Sequence, residues 1–371
     1  MNSSEPGNLP ADSPVGLRGA ALIFRLAVIG AVIAGIAGLF LYAGGWFTPH
    51  ALTPARFTDR FESVNGIHPG FRRNHAKGVC FSGWFESNGQ GTTLSHAPVF
   101  NPGRTPILGR FSFSGGQPYA PDSATMVRGL AILFRLLDGE EWRTAMVNLP
   151  VFPAKSPAAF YELLEASAPD PATGKPDPAR MGAFLKQYPD SARALGLIHQ
   201  YTMSSGFENS TFNSLNAFQF TDAAGKVLAV RWSLAPVQPF APAETMHPGP
   251  LGTNYLFDAL IESVHQHPGQ WHLLINVAQP GDPTDDATTA WPPDRRQVDV
   301  GVVTVDQVES EETSPARDIN FDPLILPKGM APSDDPLLSA RSAVYSQSFT
   351  RREGEAKQPS AVSTTETGKP Q

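Results

Sequence analysis

The first strong pattern along the chain is an uncharged apolar run, LAVIGAVIAGIAGLFLYA at 26–43, which Trp46-Phe47 extends. In helical form such a run is long enough to cross a bilayer, with Tyr42 and Trp46 suited to the interface. A cleaved leader has a shorter apolar core followed by a small-residue site. This run shows neither, so a retained anchor is the expectation. Farther on, short apolar stretches alternate with Gly, Pro and Asn, and 78–85, 107–113, 130–136 and 143–148 read as strands. Their alternation is imperfect, as in strands buried on both faces or curled into a barrel. Helices are predicted at 156–166, opening at Ser156-Pro157, and at 178–201, where Met181, Phe184, Leu185, Leu195 and Ile198 recur at helical spacing. Strands return at 216–221 and 227–235 around a hairpin loop at 222–225. A helix at 255–265, a strand at 271–277, a polar Pro-rich loop at 279–296 and a strand at 300–306 follow. The last helix is expected at 335–346, capped by Ser333 or Asp334. Runs of strands with helices inserted indicate an α+β fold rather than alternating β-α-β units.

Composition sharpens this picture at three points. With 371 residues, 41% of them hydrophobic, the chain can bury a substantial core, and a net charge of −7 argues against a nucleic-acid binder. The single cysteine, Cys80, excludes an intrachain disulfide and, within Val79-Cys80-Phe81, reads as a packing thiol. Arg18 and Arg25 precede the apolar run and no Lys or Arg follows until Arg56. The positive-inside rule therefore places the first residues in the cytoplasm and the globular part in the periplasm, a single-pass arrangement in the inner membrane. The expected organisation is a disordered N-terminus at 1–20, an anchor at 21–47, a linker at 48–56, a globular domain at 57–352 and a disordered tail at 353–371.

Candidate chemistry concentrates in two distant segments, Arg72-x-x-His75-Ala76-Lys77-Gly78 and Arg341-x-x-x-Tyr345. Residues four apart on a helix share a face, so the Arg341 guanidinium can sit beside the Tyr345 phenol. A phenol ordinarily titrates at about pH 10. A cation beside it favours the phenolate, an oxygen ligand for ferric iron. Taken alone, an Arg-x-x-x-Tyr pair is an ordinary surface contact and His75 an ordinary loop histidine. Context changes that weighting. Asn320-Phe321-Asp322-Pro323 and Pro327-x-Gly329-x-x-Pro332-Ser333 lead into Leu337-Leu338-Ser339-Ala340-Arg341, while Gly109-Arg110-Phe111-Ser112 and Val147-Asn148-Leu149-Pro150-Val151-Phe152 lie between.

In this order, the segments resemble the catalase superfamily over 57–352, and in particular its short catalase-related peroxidases. The resemblance implies a catalase-like antiparallel eight-stranded β-barrel with inserted and flanking helices around haem b. It implies Tyr345 as axial ligand of the haem iron, with Arg341 supporting it. Arg72, Arg110 and Arg352 are the implied partners of the haem propionates, and Phe152 packs over the porphyrin. On the distal side His75 is implied as the proton shuttle, Ser112 as its hydrogen-bonded orienter and Asn148 as a neutral donor to peroxide. The departures are Asn74 for the family's valine, Pro153 for the aromatic after Phe152, and Arg143 for the aspartate guarding the access channel. Asn216 also replaces a histidine, removing a proximal relay partner, and the chain ends soon after Tyr345, without the C-terminal helical domain. The implied activity is reduction of hydrogen peroxide and organic hydroperoxides by an unidentified small organic donor, with weak or no catalase activity. The alternatives are a monofunctional catalase, a fatty-acid hydroperoxide isomerase of the allene oxide synthase kind, and a non-enzymatic haem-binding protein.

Overall fold

The computed structural model describes residues 19–43, 51–123, 126–170, 172–243 and 252–364, and it divides into two units, Met1–Thr53 and Pro54–Gln371. The first contains one helix, α1 (Gly19–Ala43). Among the described residues it alone is long and apolar enough to cross a membrane, and side chains such as Ile23, Ile33 and Phe40 are exposed around it. Residues 44–47 of the expected anchor lie outside the described residues.

The second unit opens with α2 (Pro54–Asn65) and continues with β1 (Gly78–Ser87), β2 (Gly103–Phe113), β3 (Arg128–Arg135) and β4 (Glu141–Val147). Helices α3 (Pro157–Ala166), α4 (Pro178–Gln187) and α5 (Pro189–Gln200) follow. Next come β5 (Phe212–Asn213), β6 (Phe218–Thr221), β7 (Val227–Pro236), α6 (Tyr255–Gln266), β8 (Gly269–Val277), β9 (Gln297–Glu309), β10 (Met330–Pro332) and α7 (Pro336–Glu353). The antiparallel order β7-β5-β4-β3-β2-β1-β9-β8 closes because β8 also pairs with β7, giving an eight-stranded barrel, with β6 and β10 extending one edge. Closure removes the free strand edges that would otherwise invite pairing with another chain.

Aromatic side chains fill the barrel. Trp142 stacks on Phe134 at 4.5 Å and meets Trp232 edge-on at 5.1 Å. The indole of Trp232 donates to Thr144 Oγ1 at 3.0 Å, so its one polar atom is satisfied in an apolar interior. Cys80 is fully buried, and burial next to Glu311 pushes its thiol up to about 12.

Several expected boundaries move for local reasons. The helix expected at 178–201 is two helices, because Pro189 has no N–H and disfavours helical geometry at Tyr188, whose φ/ψ is −120/79. The last helix is capped by Asp335, whose side chain accepts from Leu337 N, with Pro336 at the first position. It runs to Glu353 rather than 346, so Arg341, Tyr345 and Arg352 share one helix. The tail is ordered farther than its composition suggests. Glu355 accepts from Gly70 N at 2.7 Å and pairs with the buried Arg73, and Val362 is fully buried.

Candidate active site

Alternation along the barrel strands decides which side chains reach the site. Phe111 and Phe113 point into the core, so Arg110 and Ser112 emerge on the outer face of β2. The register aligns Ser112 with Gly129 and Val147, and Arg110 with Ala131 and Ala145. Gly129, Ala131 and Ala145 thus form a floor without bulky groups. Above it opens a cavity of about 1430 Å³, counted with its mouth to solvent. Helix α7 forms one wall with Arg341, Tyr345, Phe349 and Arg352, and Phe57, Phe61 and Phe160 of α2 and α3 form another with Phe152. Phe152 and Phe160 pack at 5.1 Å. His75 and Tyr345, 270 positions apart in sequence, line this same space.

His75 sits between β1 and the preceding loop with φ of 57°, a left-handed conformation that costs a non-glycine residue on the order of 1–3 kcal/mol. Its neighbours hold it there. Ala76 N donates to Gly115 O at 2.9 Å, and Gly115 N donates to Asn74 Oδ1 at 2.7 Å. The His75 carbonyl accepts from Arg110 Nη1 at 2.7 Å. The imidazole Nδ1 lies 3.0 Å from Ser112 Oγ. Burial, reinforced by Arg110, Arg341 and Arg72, lowers the imidazole pKa to about 3 and keeps the ring neutral. The rest of the motif is structural. Lys77 is buried against Asp122 at 2.6 Å, whose other oxygen accepts from Leu256 N at the start of α6. Gly78 is required because a Cβ there would lie 2.3 Å from Phe111 O and 2.6 Å from the Arg110 guanidinium carbon.

Three arginines gather at one edge of the cavity around the loop 310–319. Arg72 Nη2 donates to the carbonyls of Arg317 and Ile319, and Arg352 Nη1 donates to the Arg317 carbonyl at 2.7 Å. Burial and mutual repulsion lower the pKa of Arg72 well below its usual value, and burial lowers that of Arg352. Arg72 Nε and Arg352 Nη2 are buried with no hydrogen-bond partner among the described residues. Buried donors left unsatisfied cost roughly 1–3 kcal/mol each, more when charged. Two carboxylates placed at this edge would satisfy both.

On α7 Arg341 lies over the Tyr345 ring at 5.7 Å, with Nη2 3.5 Å from the phenol oxygen. Arg341 also donates to Ala145 O at 3.1 Å and to Asn216 Oδ1, and Asn216 Nδ2 donates to Asp335 Oδ2 at 2.8 Å. Asn216 is therefore an uncharged bridge between a guanidinium and a carboxylate. Burial raises the pKa of Asp335, opposed by the bonds from Asn216 and Leu337 N.

A flat iron macrocycle with two carboxylate arms fits this arrangement. The floor is smooth, a phenol and an imidazole face the space, and two unsatisfied guanidinium N–H groups lie at its edge. The residues expected from sequence come together here with one exception. Asn148 is not in the cavity wall: its Oδ1 accepts from Arg128 N at 2.8 Å and its Nδ2 donates to Met203 Sδ at 3.4 Å. Arg143 does not guard the entrance either, being held by Glu141 and by the carbonyl of Asn320, while Gly129 faces the cavity instead. Sequence reasoning missed Phe57 and Phe61, although Pro54 and their four-residue spacing were a legible helix signal, and it missed Glu311, for which no local pattern exists.

The family model described as catalase matches residues 49–364. A catalase-related peroxidase of Synechococcus elongatus is 36% identical over 306 residues, covering 82% of this chain and 90% of that protein. One from Mycolicibacterium paratuberculosis is 30% identical over 304 residues, covering 82% and 96%. Among solved structures, a fungal catalase superposes with a TM-score of 0.69 at 19% identity, covering 95% of this chain and 67% of the other, and a bacterial catalase with 0.66 at 20%, covering 82% and 62%. At those identities the structures speak for the fold, and the longer matches in sequence speak for kinship. The family normally binds haem. With the barrel, an imidazole and a phenol lining one cavity, and relatives aligned over nearly their whole length, this chain belongs to the catalase family and is an oxidoreductase acting on peroxide.

Proposed function

We propose that the chain binds haem b and reduces hydrogen peroxide and organic hydroperoxides with electrons from a small organic donor, with little catalase activity. The single observation behind this reading is the cavity that Tyr345 and His75 share, edged by two guanidinium groups that each keep one buried nitrogen without a hydrogen-bond partner among the described residues. Tyr345 would ligate the iron, with Arg341 Nη2 3.5 Å from its phenol oxygen, and Arg72 and Arg352 would take the propionates. When bound, haem supplies the two-electron redox chemistry that cleaves the O–O bond.

The chain's own groups handle the protons. His75, neutral because burial and nearby arginines depress its pKa to about 3, accepts the proton from the inner peroxide oxygen and returns it to the outer one. Water or an alcohol then leaves. Ser112 fixes the ring through Nδ1, leaving Nε2 for this transfer. Asn148 would assist once its amide turns from Met203 toward the peroxide. The apolar wall that Phe57, Phe61 and Phe160 form in the cavity suits an apolar or aromatic donor. Helix α1 is proposed as an inner-membrane anchor, with residues 54–364 forming the haem domain in the periplasm.

The test is purified holoprotein given hydrogen peroxide, an alkyl hydroperoxide and an oxidisable dye. Dye oxidation with both peroxides is expected. Rapid oxygen evolution from hydrogen peroxide, with hydroperoxide and dye ignored, would contradict it. For the anchor, full-length protein should stay in washed membranes and a chain starting at residue 48 should not; equal release of both would refute it.

A further inference from the structure

Asn74 precedes His75, the residue with φ of 57°, and its side chain lines the same cavity. Its two amide atoms are used unequally. Oδ1 accepts from Gly115 N at 2.7 Å, and this is the one side-chain hydrogen bond of Asn74 among the described residues. A backbone N–H can only donate, so the oxygen has to face it, and the bond decides which way round the amide lies. Gly115 has φ of 110°, a conformation that favours glycine, which ties the loop presenting that N–H to its present shape. The two N–H donors of Nδ2 are left over. Asn74 is half-buried, and its Nδ2 is not closed off as Arg72 Nε and Arg352 Nη2 are. Asn148 is in the opposite condition. Its Oδ1 accepts from Arg128 N and its Nδ2 points to Met203 Sδ, so its amide has to turn before it can meet a peroxide. The Asn74 amide is oriented beforehand.

We propose that Asn74 is a further catalytic residue, whose Nδ2–H donates to the oxygen that departs when the peroxide bond breaks, alongside the contribution of Asn148. The proposal deepens the peroxidase reading and rests on the distal role of His75. As the two oxygens part, negative charge builds on the departing one until His75 returns the proton. A neutral donor fixed in advance stabilises that charge more than it stabilises the intact peroxide, which raises turnover rather than affinity. The amide keeps its own proton throughout. The proton that leaves in water or alcohol is the one His75 carries, and the two electrons taken up by the bond are restored by the organic donor. Valine, which the family resemblance leads one to expect at this position, has no N–H to offer.

The test compares ferric holoproteins of the wild type, Asn74→Val, Asn74→Asp and His75→Ala. Fluoride is the first probe, because it is an anion that accepts hydrogen bonds and donates none, as the departing oxygen does. Cyanide is the second. Hydrogen cyanide must surrender its proton to a distal base on binding, so its association rate reports whether His75 is still in place. In Asn74→Val the fluoride dissociation constant should rise about tenfold. Dye-oxidation kcat should fall by a similar factor with KM changed less than about threefold, and cyanide association should stay within about threefold of the wild type. Asn74→Asp keeps an oxygen for Gly115 N, and its fluoride affinity should fall at least as far, since a charge is added to the loss of the donor. Fluoride affinity unchanged in either variant would overturn the proposal, and Asn74→Asp decides alone should Asn74→Val not fold. Cyanide association slowed in Asn74→Val as far as in His75→Ala would mean that Asn74 acts only by holding the histidine, and would overturn it too. If the wild type binds cyanide no faster than His75→Ala, it is the distal reading of His75 that fails.

Discussion

Gly129 offers a sharp perturbation of the distal site, because it acts on His75 without changing any group with chemistry of its own. A Cβ at this position would lie 2.9 Å from Ser112 Oγ and 3.0 Å from His75 Nδ1 and Cε1. Ordinary contact begins near 3.4 Å, so in Gly129→Ala the imidazole must retreat by roughly 0.4 Å or Ser112 must rotate away. The first outcome misplaces the base: scaled from a loss of about a hundredfold per ångström, it costs about sixfold. The second breaks the 3.0 Å bond to Ser112, worth about 1 kcal/mol or roughly fivefold in rate. Either relaxation alone therefore lowers peroxidase turnover by roughly fivefold. The assay is steady-state dye oxidation by hydrogen peroxide, normalised to haem content so that occupancy does not enter. Ala131→Gly, two residues along the same outward face, removes a methyl from the floor and should stay within about twofold of the wild type. Gly129→Ala with wild-type turnover would refute the claim that His75 works from the position seen here.

Other consequences can be checked separately. The His75 pKa is depressed in the folded protein to about 3 against about 6.5 when unfolded. Below the unfolded value the unfolded chain binds the extra proton, so this group's contribution to stability is lost as pH falls from about 6.5 toward 3. Denaturant titrations of the apoprotein across that window should show a slope that His75→Ala lessens, and identical slopes would count against the burial described. Asn216→Ala removes the bridge between Arg341 and Asp335 and should cost about 1–3 kcal/mol, read as a lowered unfolding midpoint; an unchanged midpoint would mean the bridge is idle. Cys80, fully buried with its thiol pushed up to about 12, should resist thiol reagents in the native protein and react on unfolding, and prompt native reaction would contradict its placement in β1.

How much of this was legible beforehand depends on how locally each feature is encoded. The strands β1 to β4 were, because their inward residues are large and apolar and their ends are marked by Gly or Pro. Two-residue β5 was not, since Phe212-Asn213 pairs through its neighbours and has no length of its own. Helix α2 is not among the elements expected from sequence, and only its first turn falls in the expected linker at 48–56, although Pro54 and the Phe57–Phe61 spacing announce it. Pro189 is a visible break that the apolar periodicity on either side of it masks. At the site, His75, Ser112, Arg341 and Tyr345 were readable because short motifs fix them. The direction of the Asn148 amide and the partners of Arg110 were not, because both depend on residues from distant loops, Met203 and Glu311. Composition misjudged the tail for a similar reason. Its charged residues look solvated, yet Glu355 and Lys357 meet Arg73 and Asp318 across the fold.

The central claim is that Tyr345 supplies the axial oxygen to a haem held under His75, and the visible spectrum of reconstituted protein tests it most directly. Wild type and His75→Ala should both give a ferric high-spin spectrum of oxygen-ligated haem, while Tyr345→Phe should lose that spectrum and most haem affinity. A Tyr345→Phe protein that retains haem with an unaltered spectrum would contradict the account.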